Sequence, residues 1–345
     1  MHDFLRTLAD GETLTQAQAE QAMHTMMQGE AEPAHMAGLL MGLRTRGETL
    51  DELVGFTKVM RTYAVHVDCD DPHAIDLCGT GGDSSGTFNI STAAAFVCAG
   101  AGVTVAKHGN RSVSSQCGSA DVLDALGVNI ELRKEGVERC LREAGIAFLF
   151  APFFHPAMRF VMPIRRSLGV RTFFNILGPL CNPAGVRRQV VGAFSIAVAE
   201  QMAGILAHLD AAHVVTLHAH DGLDEISLNG PTAAFEYTAE TQGSTPPRST
   251  TIHPEKHGFT RTPLAALQGG TAEANAAMLH GIFSGQTGPP RDVVVLNAAY
   301  ALLTSGRVGD LDACLEAANA SIDSGAALAK LNLLVTISGQ IPPGT

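Results

Sequence analysis

Two polar loops hold most of the residues that could do chemistry in this chain. The first, Gly79-Thr80-Gly81-Gly82-Asp83, follows an apolar strand-like run and leads to a helix start reading Asn89-Ile90-Ser91-Thr92. Glycines after a strand let the backbone turn tightly and aim several N–H groups at one point, which makes a nest for an anion. The free amides of a helix N-terminus and the positive end of its dipole add to the same field. Asp83 does not suit a bare phosphate and points instead to hydroxyls, water or a metal. The second loop begins Lys107-His108-Gly109-Asn110-Arg111 and continues through Ser112, Ser114, Ser115 and Ser119. Lysine offers a point charge to a phosphate, and the serines offer further donors. Because this loop follows the strand-like VTVA, it is expected at the same sheet edge as the first, where α/β proteins place ligands.

A third constellation, Asp221-Gly222-Leu223-Asp224-Glu225, comes straight after the strand-like HVVTLHAH. Neighbouring carboxylates at a strand end suit Mg2+, which takes oxygen ligands and usually arrives with a phosphorylated substrate. His218 and His220 have H-x-H spacing but no accompanying third ligand, so they read as satisfied or surface histidines rather than a zinc site. Arg159, Arg165, Arg166 and Arg171 lie on or beside one helix-like segment. A guanidinium fork there could grip an acidic substrate, although the residues alone do not say which arginine does so.

The elements that must position these loops follow from periodicity. Residues 1 to about 65 read as helices only, with Leu5, Leu8, Ala22, Met23, Met26, Leu39, Leu40 and Leu43 at roughly helical spacing. Thr13 and Thr15, and Thr49 with Glu52 three residues on, look like N-cap signals. From about residue 72, AIDLCG, VTVAK, IAFLFA, QVVGAF and HVVTLH alternate with helix-like segments at 89–101, 135–144 and 196–209. This pattern predicts an α/β layer around a mostly parallel sheet. Residues 155–185 interrupt it with a long helical stretch and a Pro/Gly-rich turn at Gly178, Pro179 and Pro183, an excursion expected to pack back on the N-terminal helices. Residues 239–250 read as an exposed loop, and from 271 onward the chain is alanine-rich and helical.

Totals limit the choices. A chain of 345 residues is long for one simple core, so two lobes are expected. A formal charge of −11 argues against a general nucleic-acid surface, which would need a basic excess. The seven cysteines are odd in number and never spaced C-x-x-C, which suggests neither a disulfide framework nor a zinc knuckle. No signal sequence and no bilayer-length apolar run is visible, so a reducing, cytoplasmic setting is the expectation.

Taken together and in order, GTGGD, NISTA, KHGNRSVSS, FNILGPLCNP and DGLDEIS resemble the anthranilate phosphoribosyltransferase family over nearly the whole chain. The resemblance implies a helical domain over 1–70, joined by the excursion at about 155–185. It also implies an α/β domain over 71–345 that binds 5-phosphoribosyl 1-pyrophosphate, in a nucleoside-phosphorylase-like fold. The implied reaction is Mg2+-dependent transfer of the phosphoribosyl group to anthranilate in tryptophan biosynthesis, with a pair of metal ions per subunit and a homodimer joined through the helical domain. Carried over by position, the phosphoribosyl-pyrophosphate contacts are Gly79, Gly82, Asp83, Thr87, Asn89, Ser91, Thr92, Lys107, Ser115 and Ser119. The metal positions are Ser91, Asp224 and Glu225, and the anthranilate contacts are Gly79, Asn110 and Arg165. Lys107, His108 and Asn110 would serve the chemistry, His108 in a supporting role. Two departures stand out: Gln116 where relatives commonly carry lysine, and Ala219-His220 in place of a more usual small-acidic pair. A pyrimidine-nucleoside phosphorylase would lack the NILGPLCNP stretch, and a nucleic-acid-binding paralogue would need a basic groove.

Overall fold

The computed structural model describes residues 1–81, 85–112, 116–242 and 246–342. The chain opens with four helices: α1 (His2–Ala9), α2 (Gln16–Met27), α3 (Pro33–Arg46) and α4 (Leu50–Thr62). Two of the expected caps are in use. Thr15 and Thr49 each close a capping box, accepting from the backbone N–H of Gln18 and Glu52. Thr13 lies outside any cap, because α2 starts after Thr15. Glu52 also works beyond its own helix. Fully buried, its carboxylate accepts from Leu14 N at 2.7 Å and Thr49 N at 2.8 Å and pairs with Arg46. Burial pushes its pKa up, but the Arg46 bond and the two backbone N–H groups outweigh that and hold it below the ordinary carboxylate range.

Seven strands form one sheet among the described residues: β1 (Ile75–Gly79), β2 (Val105–Gly109), β3 (Ile146–Phe150), β4 (Arg188–Gly192), β5 (His213–Ala219), β6 (Thr232–Thr238) and β7 (Arg248–Ile252). Their order is β3-β2-β1-β4-β5-β6-β7, with the first five parallel and the last two joined antiparallel. The expected α/β class with a mostly parallel sheet is therefore present. The loop expected at 239–250 is exposed at 248–250 but not irregular at either end, and its residues 243–245 lie outside the described residues. A short helix, Ala239–Gln242, and the first residues of β7 occupy part of it. The sequence of β7 hides a strand because four of its five residues are exposed. Main-chain pairing with β6 and the Arg248–Glu236 ion pair at 2.8 Å hold it, with no apolar alternation to read.

Side chains on the two faces of the sheet enter two separate cores. Val190 and Val215 join the core formed with α5 (Ile90–Gly100), α6 (Ser119–Ala125) and α7 (Lys134–Ala144), together with the C-terminal helices. Their chain neighbours Val191 and Val214 join the core shared with α1 to α4. Alternation of this kind is the period-two consequence of the pleat, and covering both faces explains the largely apolar make-up of β1, β3 and β5.

The excursion is not one long helix. It is built of short turns: α8 (Ala151–Phe154), a 3-10 turn at Pro156–Phe160, α9 (Met162–Leu168) and α10 (Phe174–Leu180). Proline at the start of each of the first three segments and left-handed Gly169 after α9 keep the segments short. The excursion does pack on the N-terminal helices: the rings of Phe56 and Phe173 stack 4.3 Å apart, and Arg61 Nε donates to Leu180 O at 2.8 Å. The Pro/Gly turn that follows is fastened to the sheet. Gln189 Nε2 donates to Pro179 O at 3.1 Å, and Asn182 Nδ2 donates to both Asp76 Oδ2 and Ala106 O at 2.8 Å.

After β4 come α11 (Ile196–His208) and, past β5, α12 (the Ala239–Gln242 helix). The C-terminal layer is α13 (Ala272–Phe283), α14 (Pro289–Ser305), α15 (Leu311–Asp323) and α16 (Ala326–Gly339), with α14, α15 and α16 all packed on α5. No single helix among the described residues is long and apolar enough to cross a membrane.

Candidate active site

The strand order changes direction beside β1, which has β2 on one side and β4 on the other. A crevice outside the carboxyl ends of the strands at such a switch point is where open α/β sheets bind ligands. Here β1, β2 and β4 all end in glycine: Gly79, Gly109 and Gly192. At all three a Cβ would collide: on Gly109 it would strike Ser119 Oγ and the Phe148 ring, and at the other two it would strike the 221–225 loop. A methyl on Gly79 would strike the Asp224 carboxylate, and one on Gly192 would strike the Asp224 carbonyl. The 221–225 loop thus lies directly across the ends of β1 and β4. Its floor is set by buried Asn297 on α14, which accepts from Ile226 N and donates to Ile226 O, both at 2.9 Å.

Three separate turns meet at this point. Gly81, in the left-handed region at φ 65°, donates its N–H to Asp224 Oδ2 at 3.1 Å. Helix α5 starts after Asn89 with no side-chain cap, and Ser91 N in its first turn donates to Glu225 Oε1 at 3.3 Å. The Lys107 ammonium donates to Leu77 O and lies 3.4 Å from Ser91 Oγ. The hydroxyls of Thr80 and Thr92 are buried with no partner among the described residues.

Lys107 differs from its expected setting. It is not a loop residue but the middle of β2, its side chain turned into the protein and 3% exposed. Burial is the largest influence and holds its pKa below the ordinary lysine value, although Asp76, Cys78, Glu225 and Asp224 push the other way. The carboxylates around it favour its charged form against that burial. His108 is also a strand residue, buried, with its backbone N–H on Asp76 Oδ1 at 3.2 Å. Its ring lies 5.1 Å from that of His155, and the Nε2 atoms of both are without a partner among the described residues. Burial drives the pKa of His108 well below its ordinary value and that of His155 to about 4, so both rings are neutral at neutral pH. Nothing in the sequence singles out His155; only the turn after β3 brings it to His108.

The second loop is held by its own residues. Asn110 is exposed and its carbonyl accepts from Ala120 N at 3.2 Å and Ser119 Oγ at 3.3 Å. Arg111 is committed to Asp121 at 2.8 Å and Asp124 at 3.1 Å. Asp121 also accepts from Ser112 N and Gly118 N, closing the loop from inside, a role sequence reading missed. Thr87 forms an antiparallel bridge with Gln268. Gln116 is exposed. Gly82, Asp83 and Ser115, expected substrate contacts, lie outside the described residues.

Among the four arginines, Arg165 is half-buried in the last turn of α9, 5.3 Å from the Phe174 ring and 3.8 Å from Met162 Sδ. It has no carboxylate partner among the described residues, and burial lowers its pKa from the ordinary value. Arg159 and Arg171 lie over Phe160 and Phe194, each 4.6 Å from the ring centre, and Arg166 is exposed. Among the described residues no three His, Cys, Asp or Glu side chains gather to hold a metal by themselves. Two carboxylates and the Ser91 hydroxyl fit Mg2+, which usually completes its shell with water and substrate phosphate oxygens. The ring of His218 is bonded through Nδ1 to Ala193 O at 2.8 Å, and His220 is exposed.

Family comparisons agree with this architecture. Residues 71–328 match the glycosyl transferase family, a/b domain, and residues 2–64 match the same family's helical bundle domain. Anthranilate phosphoribosyltransferase of Salinibacter ruber is 66% identical over 341 residues, covering 99% of each chain. The chain belongs to the anthranilate phosphoribosyltransferase family. Solved members of the family have the same fold. Anthranilate phosphoribosyltransferase from Thermus thermophilus superposes with a TM-score of 0.90 at 40% identity, over 98% of this chain and 99% of that one. The Saccharomyces cerevisiae enzyme in complex with PRPP and Mg does so at 0.89 and 25% identity, over 98% of both chains.

Proposed function

We propose that this chain transfers the phosphoribosyl group of 5-phosphoribosyl 1-pyrophosphate to the amine of anthranilate, giving N-(5-phosphoribosyl)anthranilate and pyrophosphate in tryptophan biosynthesis. The observation that carries this reading is the meeting of Gly81, Ser91, Lys107, Asp224 and Glu225 at one switch point. Asp224 and Glu225 accept from the amides that a diphosphate would use, and with Ser91 they are the ligands a Mg2+ ion, or a pair of them, would take. Bound there, Mg2+ would neutralise charge growing on the departing pyrophosphate. Gly79, Gly82, Asp83, Thr87, Asn89, Thr92, Ser115 and Ser119 complete the diphosphate side.

The protein's own groups have distinct tasks. Displacement at C1 of the ribose passes through an oxocarbenium-like state, so charge builds on the leaving group. The amides of Gly81 and Ser91, with the Lys107 side chain, would face that charge. An aromatic amine is already neutral at pH 7, so no strong base is required. Arg165, free of any carboxylate partner among the described residues, is suited to grip the acceptor's carboxylate, and Asn110 and Gly79 flank it. Neutral His108 adds no charge beside the incoming amine and keeps a free ring nitrogen for a hydrogen bond. Positioning then supplies much of the acceleration.

Two further elements of the reading are a homodimer joined through the helical domain, whose Met41 and Leu50 are exposed, and a cytoplasmic location. All seven cysteines are free thiols, as a reducing compartment requires. The test is loss of anthranilate fluorescence with Mg2+ and phosphoribosyl pyrophosphate, each omitted in turn. Turnover only in the complete mixture is expected, and no turnover there would overturn the reading.

A further inference from the structure

We infer that Asn275, on α13 and remote from both substrate loops in sequence, is a positioning residue that sets the diphosphate loops through Asn89; the inference rests on the reading of the site above. Asn275 is 1% exposed, and both ends of its amide are used. Its Nδ2 donates to Asn89 Oδ1 at 3.0 Å, and its Oδ1 accepts from Gly270 N at 2.8 Å. Asn89 in turn donates through Nδ2 to Cys117 O at 3.1 Å and accepts a weaker bond from Cys117 Sγ at 3.4 Å.

The polarity of this chain of bonds is fixed from both ends. A backbone carbonyl can only accept, so Asn89 must present its nitrogen to Cys117 and its oxygen to Asn275. A backbone N–H can only donate, so Asn275 must present its oxygen to Gly270 and its nitrogen to Asn89. Asn89 stands immediately before α5, whose Ser91 amide faces Glu225, and Cys117 lies just before α6, which begins at Ser119. Buried Asn275 and half-buried Asn89 therefore tie the turn before α5 to the turn before α6.

The segment leading into α13 holds the first loop independently. Phe88 N donates to Leu267 O at 3.1 Å, and Gly86 O accepts from both Gly269 N at 2.8 Å and Gln268 Nε2 at 2.9 Å. With the backbone already fixed by these bonds, removing the Asn275 side chain leaves α5 in place and releases the Asn89 side chain and the 117 turn. The consequence should fall on the diphosphate substrate and not on the acceptor.

The test is steady-state kinetics of the full-length enzyme with Asn275→Ala, Asn89→Ala and the double variant. Asn275→Ala is expected to raise KM for phosphoribosyl pyrophosphate roughly tenfold or more, with KM for anthranilate within about twofold of the unaltered enzyme. Because Asn275 acts through Asn89, adding Asn275→Ala to Asn89→Ala should change that KM by less than about twofold. Should Asn275→Ala fail to fold, Asn275→Asp keeps the volume but sets an acceptor against Asn89 Oδ1, and the same pattern is expected. Equal rises in both KM values, a fall in kcat alone, or full additivity in the double variant would overturn the inference. An unaltered enzyme that does not turn over anthranilate would instead sink the reading of the site, a separable result.

Discussion

Asp224 touches the ends of two strands at once, and that contact decides what a substitution there can do. Its carboxylate meets Gly81 N and its backbone rests over Gly192, so Asp224→Asn keeps the shape while removing charge. Changing Asp224→Asn and Glu225→Gln together is expected to lower kcat on the order of 100-fold while circular dichroism stays native, the scale seen when charge-stabilising groups are lost. An unchanged kcat would remove both from the chemistry. Arg165 belongs to the other substrate. Arg165→Ala should raise KM for anthranilate by about 10- to 100-fold, the worth of a charge-assisted pair of hydrogen bonds, with KM for the diphosphate substrate little moved. Steady-state kinetics decide it, and an anthranilate KM within twofold would take Arg165 out of the acceptor site. Motif residues next to one another in sequence can be read directly, because the turn itself supplies their geometry. Asn275 and Asn297 cannot, since their partners lie 186 and 71 residues away and one asparagine on an apolar helix carries no visible signal.

Among the elements, Glu52 shows how much one carboxylate can organise. It joins the approach to α2, the end of α3 and the start of α4 while fully buried. Glu52→Ala would leave the Leu14 and Thr49 amides without their side-chain acceptor and Arg46 without its carboxylate partner. The expected cost is about 3–5 kcal/mol, the usual result of removing one partner of a buried pair. Chemical denaturation would measure it, and a loss under about 1 kcal/mol would mean water replaces the carboxylate at no penalty. The capping box that positions Glu52 is plain in the sequence, but its reach to Leu14 and Arg46 is not. Strands β1 to β5 are legible for a related reason: burial on both faces demands continuous apolar runs. The edge strand β7 makes no such demand, and β2 reads as breaking off at Lys107 because polar residues inside a buried strand interrupt the pattern that marks one.

The whole molecule responds to pH through groups hidden in that core. His155, with a pKa of about 4 against an ordinary 6.5, stays neutral when folded and takes up a proton when unfolded. The unfolded state therefore binds more protons between about pH 6.5 and 4, so stability falls as pH drops through this window and the loss is complete below it. From the His155 shift alone the cost is on the order of 3 kcal/mol, and His108 shifts in the same direction. Denaturant midpoints measured between pH 7 and pH 4 should fall for the unaltered protein and fall less for His155→Gln. Parallel curves would rule the imidazole out as the cause.

The way the ends of β1 and β4 are covered has one more result, for a chain leaving the ribosome. Glycine turn and lysine emerge early, but the carboxylates that face them come more than a third of the chain later. The asparagine that seats those carboxylates, Asn297, comes later still. Nascent protein must carry an unfinished diphosphate cradle until α14 arrives, and any product cut short before that helix should be inert however well its amino-terminal part has folded.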